Sequence, residues 1–486
     1  MKDEKTKDIL LLLSILILLT GVMLIFSETT SPLSTNVYGD DSAYYRFIGS
    51  SILKGKTLYT DIWDNKGPVL YLIQALGAIH GTRNEKLSFI FPMQIVSLML
   101  SIFLMNRIDR EFSTEGKRNV RFFLLTVCTI ILFNTVIAGG NLTEEWSIPM
   151  ICFSLLLFTK YAVHAEQDPV HPAKHAFFHG ICLTLVAFIR INNAITIVTG
   201  IVVIGIYLGI RKQWRSLLEN LLAGMAGVIL ISVPIFVYFV RKHALYDMLY
   251  TVFIYNFKYM QIRTHTGLSA NSLLGHYLPM AVSFMLILIH FVRYHRFRFI
   301  DILAFIITLT NTLLLLKTNG YNHYFAIYVP VYFYILILYV RFNKPAAELL
   351  VSLALISLFI KQNSDIAKAI FWRRENITYT SAAGYVPKSE RESVFPIYLS
   401  SSIYINSGLF PLTRFAAYQH DFLSINPEFM DEFKTKLLTA EPKWIIASCD
   451  TSVLFPEARN LIESQYSCQF SDVYGCYYRI QDNGDK

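Results

Sequence analysis

Charge is what this sequence has least of. Of its 486 residues, 16% are charged, against roughly a quarter in soluble globular chains. A water-facing surface of ordinary density cannot be drawn from so few, which excludes the common soluble classes. Internal repeats and low-complexity stretches are missing too, and so is the paired hydropathy symmetry of inverted-repeat transporters. Cysteine gives little direction. Cys128, Cys152 and Cys182 lie inside apolar runs and read as small core residues. Cys449, Cys468 and Cys476 lie in the polar C-terminal region, where one disulfide is possible but spacing does not choose the pair. The apolar run 9–26 follows Lys2, Lys5 and Lys7 and has no A-x-A-like cleavage site after it, so it is expected to stay as a first helix.

What fills the chain instead is apolar. Hydrophobic residues make up 54%, with 29 Tyr and 36 Phe, and the mean hydropathy is +0.43. Runs of spanning length fall near 9–26, 87–106, 121–138, 146–162, 176–190, 194–210, 219–240, 272–292, 300–316, 322–341 and 346–360. That predicts a mainly α, polytopic bundle of about eleven transmembrane helices. The stretch 67–79 is too short to span and reads as an interfacial or re-entrant helix. The formal charge of +8 does not indicate nucleic acid, because Lys and Arg collect in short clusters between the apolar runs. With the N-terminus cytoplasmic, the basic segments 107–121, 160–174, 211–215, 293–298 and 341–344 fall inside, as the positive-inside rule expects. The same threading makes the protein a multi-pass cell-membrane protein with an external tail. Two domains are expected: a transmembrane domain, 1–360, carrying a first external loop at 27–86, and a small extracytoplasmic α/β domain, 361–486.

The loop 38–76 holds the chemistry. Asp40 and Asp41 stand before a helical pattern, where acids commonly cap a helix and meet its dipole. Further on come Asp61, Asp64 and Lys66-Gly67-Pro68. A lysine at the start of an interfacial helix sits where backbone N–H groups and an ammonium can hold a lipid phosphate, although a snorkelling lysine has the same pattern.

Together these residues resemble the first external loop of the GT-C superfamily of integral-membrane glycosyltransferases, in the branch of protein O-mannosyltransferases and lipid A aminoarabinose transferases. The resemblance rests on Asp40, Asp41, Tyr44, Gly55, Lys66 and Pro68, in that order. Two departures are Asp41, where Glu is commoner, and Gly67, where the family has a first Pro. The likeness continues at Glu144-Glu145-Trp146, where the family places a second acid, at Arg190, near which it binds donor lipid, and at His323-Tyr324. It covers roughly 1–345 and is strongest in the first loop.

The resemblance implies transfer of a sugar from a polyprenyl-phosphate donor to an acceptor hydroxyl at the outer face, with inversion. Asp40, Asp41 and Glu145 are then the expected catalytic acids, with Glu145 favoured over Glu144 for its place at the helix start. Lys66, Arg190, His323 and Tyr324 would contact the donor phosphate, and Tyr44, Asp61, Asp64 and Glu144 the acceptor or its surroundings. The partners implied are the donor lipid, the bilayer and an envelope glycan, lipid or protein acceptor. No cofactor is expected to be required, although Asp40, Asp41 and Glu145 could offer hard oxygens to a divalent metal. The rival readings are a transporter or flippase of lipid-linked glycans, which would place essential charges near mid-membrane, and a polymerase, which would concentrate them in a later loop such as 241–271.

Overall fold

The computed structural model describes residues 2–27, 29–33, 40–79, 89–112, 118–136, 139–259, 277–318, 321–340, 385–417, 419–472 and 474–481. The expected run 346–360 and the triplet Asn376-Ile377-Thr378 lie outside them. The chain forms two compact units: residues 1–34, 86–238 and 263–374 in the first, and 35–85, 239–262 and 375–486 in the second.

The first unit is a helical bundle. Its helices are α1 (Lys2–Phe26), then, after the loop helices α2 and α3 described below, α4 (Phe91–Arg110), α5 (Arg118–Val136), α6 (Thr143–Ala162), α7 (Ala173–Ala187), α8 (Ile195–Ile210) and α9 (Trp214–Arg241, whose last residues belong to the second unit). Helices Leu278–Tyr294, Phe299–Leu316 and Val329–Tyr339 complete it. A helix therefore stands at each of the ten expected spans that fall among the described residues. Among the described residues five helical stretches are long and apolar enough to cross a membrane by themselves: Thr6–Phe26, Phe91–Arg110, Ile191–Ile210, Trp214–Arg241 and Phe299–Leu316. The protein is a polytopic helical membrane protein. Its core joins Ile15, Met105, Ile151, Phe158, Ile307 and Tyr334, all buried, while α9 keeps Leu222, Ile229 and Val237 exposed as a surface for lipid.

Where basic clusters meet the bundle, charges are paired. Asp8 accepts from Arg110 at 2.6 Å and also from Arg118, and the fully buried Asp109 pairs with Arg121. Arg121 also donates to the carbonyl of Val340 at 3.0 Å. A buried charge with its hydrogen bonds met is tolerable in such a place, whereas an unmatched one is not.

In the second unit, α2 (Asp40–Leu53) packs on α3 (Pro68–Ala78), the short helix expected at 67–79. The packing is backbone-close, since a Cβ on Gly49 would fall 2.6 Å from the carbonyl carbon of Gln74. Gly55, at φ +88°, ends α2 in the left-handed region that glycine adopts without strain. The tail adds a four-stranded sheet in the order β1-β2-β4-β3, from β1 (Val394–Pro396), β2 (Trp444–Ala447), β3 (Tyr466–Asp472) and β4 (Gly475–Ile480). Strands β1 and β2 run parallel, and the other pairs are antiparallel. Helices Pro427–Thr439 and Pro456–Gln465 accompany the sheet, so the tail is a small α/β assembly. A disulfide joins Cys449 to Cys476 just past the end of β2, leaving Cys468 free and exposed.

Candidate active site

The second unit ties the loop to the tail. Asp40 is exposed at the first position of α2; its carboxylate accepts from the Ser400 hydroxyl and its carbonyl from Ser401 Oγ at 2.6 Å. Asp41 follows, half-buried, in the same first turn, where the helix dipole favours both negative charges. Tyr44 is buried and donates its hydroxyl to the carbonyl of Trp63 at 2.5 Å. Trp63 is itself fully enclosed, packing edge-on against Tyr255, Phe422 and Phe429, with its indole N–H donating to Thr251 Oγ1 at 3.0 Å. Burial of such rings is the strongest apolar anchor available to so short a loop.

Asp61 is exposed and accepts from the Thr57 N–H at 2.7 Å, which makes it a turn-forming acid. Asp64, three residues on, is wholly buried. One oxygen accepts from the Asn65 N–H at 2.7 Å and from Lys66 Nζ at 3.4 Å, and the other from the Tyr71 hydroxyl. Burial pushes the Asp64 carboxyl above the usual aspartate range, and Lys66 and the Tyr71 hydrogen bond hold part of that rise back. The Lys66 side chain is 11% exposed, with Nζ 5.5 Å from the ring centre of Tyr45 and 5.7 Å from that of Phe422. Gly67 is extended and Pro68 opens α3, so the lysine stands at a helix N-terminus.

The first unit assembles the other expected residues. Glu144 and Glu145 occupy the first turn of α6 and turn to different surroundings. Glu144 accepts from Arg190 Nη1 at 2.5 Å and from Thr143 Oγ1 at 2.8 Å. The Arg190 guanidinium lies over the Tyr324 ring at 4.2 Å, and His323 packs edge-on against the same ring at 4.6 Å. Glu144, Arg190, His323 and Tyr324 thus form one cluster from three separated segments. Glu145 is fully buried. Its Oε2 accepts from Gln94 Nε2 at 2.9 Å and from the Asn141 N–H at 2.8 Å, and its Oε1 has no hydrogen-bond partner among the described residues. It holds the turn Gly139-Gly140-Asn141, in which all three residues have positive φ. A Cβ on Gly140 would lie 2.5 Å from Gln94 Nε2, so a side chain there would displace that amide and strain a backbone at φ +99°.

Ser400, Ser401, Tyr71 and Gln94 were not anticipated. Gln94 carried a usable signal, an amide inside an apolar run. The serines carried none, being ordinary residues of a polar tail. Among the described residues no group of three or more His, Cys, Asp or Glu stands close enough to hold a metal ion.

Residues 2–347 match the family described as "Putative competence-induced protein Ccs4 N-terminal domain". The chain belongs to that family. No curated protein matches its sequence. Among solved structures, ArnT from Cupriavidus metallidurans bound to undecaprenyl phosphate is similar with a TM-score of 0.61 at 13% identity, over 97% of this chain and 98% of that one. The apo form of the same ArnT gives 0.57 at 12%, over 98% of both chains. The Archaeoglobus fulgidus oligosaccharyltransferase in its apo form gives 0.51 at 12%, over 97% of this chain and 75% of that one. At such identities the likeness is one of fold: this chain shares the fold of ArnT and of the oligosaccharyltransferase.

Proposed function

We propose that this family member is a membrane glycosyltransferase that moves a hexosyl or pentosyl group from a polyprenyl-phosphate donor to an acceptor hydroxyl on an envelope glycan, lipid or protein. The observation that carries the reading is Lys66: its ammonium is set beside the sealed Asp64 carboxylate at the start of a Pro-led helix. A cation fixed this way suits a phosphate that gains charge as a bond to it breaks. The shared GT-C fold supports the same class of chemistry.

In this scheme the Asp40 carboxylate, exposed and on a helix start, takes the proton from the acceptor hydroxyl as its oxygen attacks the anomeric carbon. The bond from that carbon to the phosphate oxygen breaks, its electron pair stays with the phosphate, and polyprenyl phosphate leaves. Lys66 and Arg190 offset the charge, with Tyr324 and His323 bracing the guanidinium. Asp41 orients the acceptor side, Asp61 and Asp64 shape the loop, and Tyr44 anchors α2 to Trp63. Glu144 sets Arg190, and Glu145 acts as a positioning residue through the Gly139-Gly140-Asn141 turn. One base opposite one leaving group gives inversion, by the facial logic that separates inverting from retaining glycosidases. No step calls for a metal. We orient the N-terminus to the cytoplasm and the tail to the outside of the cell membrane, from the charge bias of the loops.

The test offers purified protein a panel of polyprenyl-phosphate sugars and follows release of polyprenyl phosphate. Transfer from one donor, surviving EDTA and reduced about 10²–10⁴-fold in Asp40→Asn, is the expected result. No release from any donor, or full activity in Asp40→Asn, overturns the scheme.

A further inference from the structure

The first unit also contains a cavity of about 220 Å³ walled by α7, α8 and α9, lined by residues that take no part in the proposed transfer. Its walls include Leu183, Ile204, Leu208, Leu217 and Val228. Glycines make the space: a Cβ on Gly180 would fall 2.1 Å from the Gly224 carbonyl oxygen, so α7 and α9 touch backbone to backbone, while a Cβ on Gly205 would meet only Leu217 Cδ1, at an ordinary 3.8 Å. Two lining residues, Leu221 and Met225, are more than half exposed on the lipid-facing side of α9, so the mouth opens sideways into the bilayer.

Into this apolar space project two imidazoles. His179 is 2% exposed and stacked on Phe158, and neither of its ring nitrogens has a hydrogen-bond partner among the described residues. His171 is 4% exposed; Asn220 holds its Nδ1, which leaves Nε2 without a partner. The two rings lie 6.2 Å apart and nearly parallel. Buried polar nitrogens are almost always hydrogen-bonded in folded proteins, so this pair points to an occupant.

The occupant's chemistry follows from what the walls supply. Asn220 Nδ2 donates to the carbonyls of His171 and Ser216, so its Oδ1 accepts from the His171 Nδ1–H and leaves Nε2 as a lone pair; a hydroxyl can donate to that lone pair and accept from an N–H of His179. A carboxylate, phosphate or ammonium would carry a charge into apolar walls. The volume is about seven times the ~30 Å³ share of a liquid water, enough for a head group and the first part of one chain. We infer that the cavity binds an uncharged, single-chain lipid alcohol that enters from the bilayer with its hydroxyl between His171 and His179.

The test uses the full chain in phosphatidylcholine nanodiscs with a photoactivatable analogue of 1-decanol, followed by peptide mapping. Labelling is expected in α7–α9, competed by 1-decanol at least tenfold more effectively than by decane or decanoate. His179→Phe keeps the stack on Phe158 and should lower labelling at least tenfold; Gly205→Leu fills the space without touching a histidine and should do the same. Thermal unfolding checks each variant, and Gly205→Leu carries the test should His179→Phe not fold. Equal competition by decane makes the cavity a plain apolar groove and overturns the inference, as equal competition by decanoate does by making it an anion site. Unsaturable labelling, labelling unchanged in the folded variants, or stoichiometric zinc lost with His179 also overturns it.

Discussion

Each compact unit holds a carboxylate, a cation and a tyrosine, and the two sets are arranged on the same plan with different parts. In the loop-and-tail unit Asp64 is fully buried and Lys66 is 11% exposed. In the helical unit Glu144 is 2% exposed and Arg190 16%. In both, the acid lies deeper than the cation, so the acid sets the position and the cation is the group presented. The difference lies in how the cation is steadied. Lysine offers a point charge directed by Asp64, with the Tyr45 and Phe422 rings 5.5 and 5.7 Å away, while the planar guanidinium of Arg190 lies over Tyr324 at 4.2 Å. Neither sealed carboxylate is placed to collect a proton from an incoming hydroxyl. In the proposed scheme that task falls to Asp40, which is exposed.

The comparison breaks first on activity. Lys66→Met and Arg190→Met should each lower kcat/KM about 10²–10³-fold if both cations hold the leaving phosphate. A loss confined to Lys66→Met would assign the phosphate to the loop alone. The next effect is on stability. Lys66→Met leaves the Asp64 carboxylate buried without its cation and should cost about 3–5 kcal/mol, read by thermal unfolding in detergent. Asp64→Asn, which removes the charge and keeps an acceptor for the Asn65 N–H, should cost clearly less. The pH sign can be worked out as well. Because burial raises the Asp64 carboxyl in the folded state, its contribution to stability is full below the ordinary aspartate range and is lost as pH rises through the raised value. Asp64→Asn should flatten that part of the stability–pH profile.

Gly140→Ala comes next, at about 1–3 kcal/mol, from the clash with Gln94 and the positive φ; activity should fall with it if the turn positions Glu144. The smallest effect belongs to the tail. The Trp444 hydrogen bond holds Glu390 below the usual glutamate range against burial, with help from Arg479 and Lys443. That contribution is present above the ordinary range and lost as pH falls through the lowered value. With both cations substantially exposed, Glu390→Gln should remove under about 1 kcal/mol of it, read by Trp444 fluorescence during acid unfolding.

The bundle was legible because a span needs a length and a composition, and both are local. The short helix at Pro68–Ala78, expected at 67–79, was legible for the same reason. Motif residues in the loop could be singled out by resemblance, and so could Arg190 and His323. Their partners could not, because pairing is not local. Asp40 meets Ser400 across 360 residues, and nothing in either neighbourhood marks the other. The different surroundings of Glu144 and Glu145 were hidden too, since the left-handed turn before them decides which carboxylate points where. The choice of Cys476 as the partner of Cys449 depends on the register that sets Ala447 opposite Cys476.

The union of loop and tail also fixes an order of manufacture. Ribosomes add about 5–20 residues per second, so the loop emerges roughly 18–72 s before Ser400 exists to meet Asp40. During that interval Trp63 gains Thr251 and Tyr255 part-way through but has neither Phe422 nor Phe429 to cover it. A nascent chain halted before residue 400 should therefore leave Trp63 open to solvent quenchers, or to a chaperone that shields it until the last quarter of the polypeptide arrives.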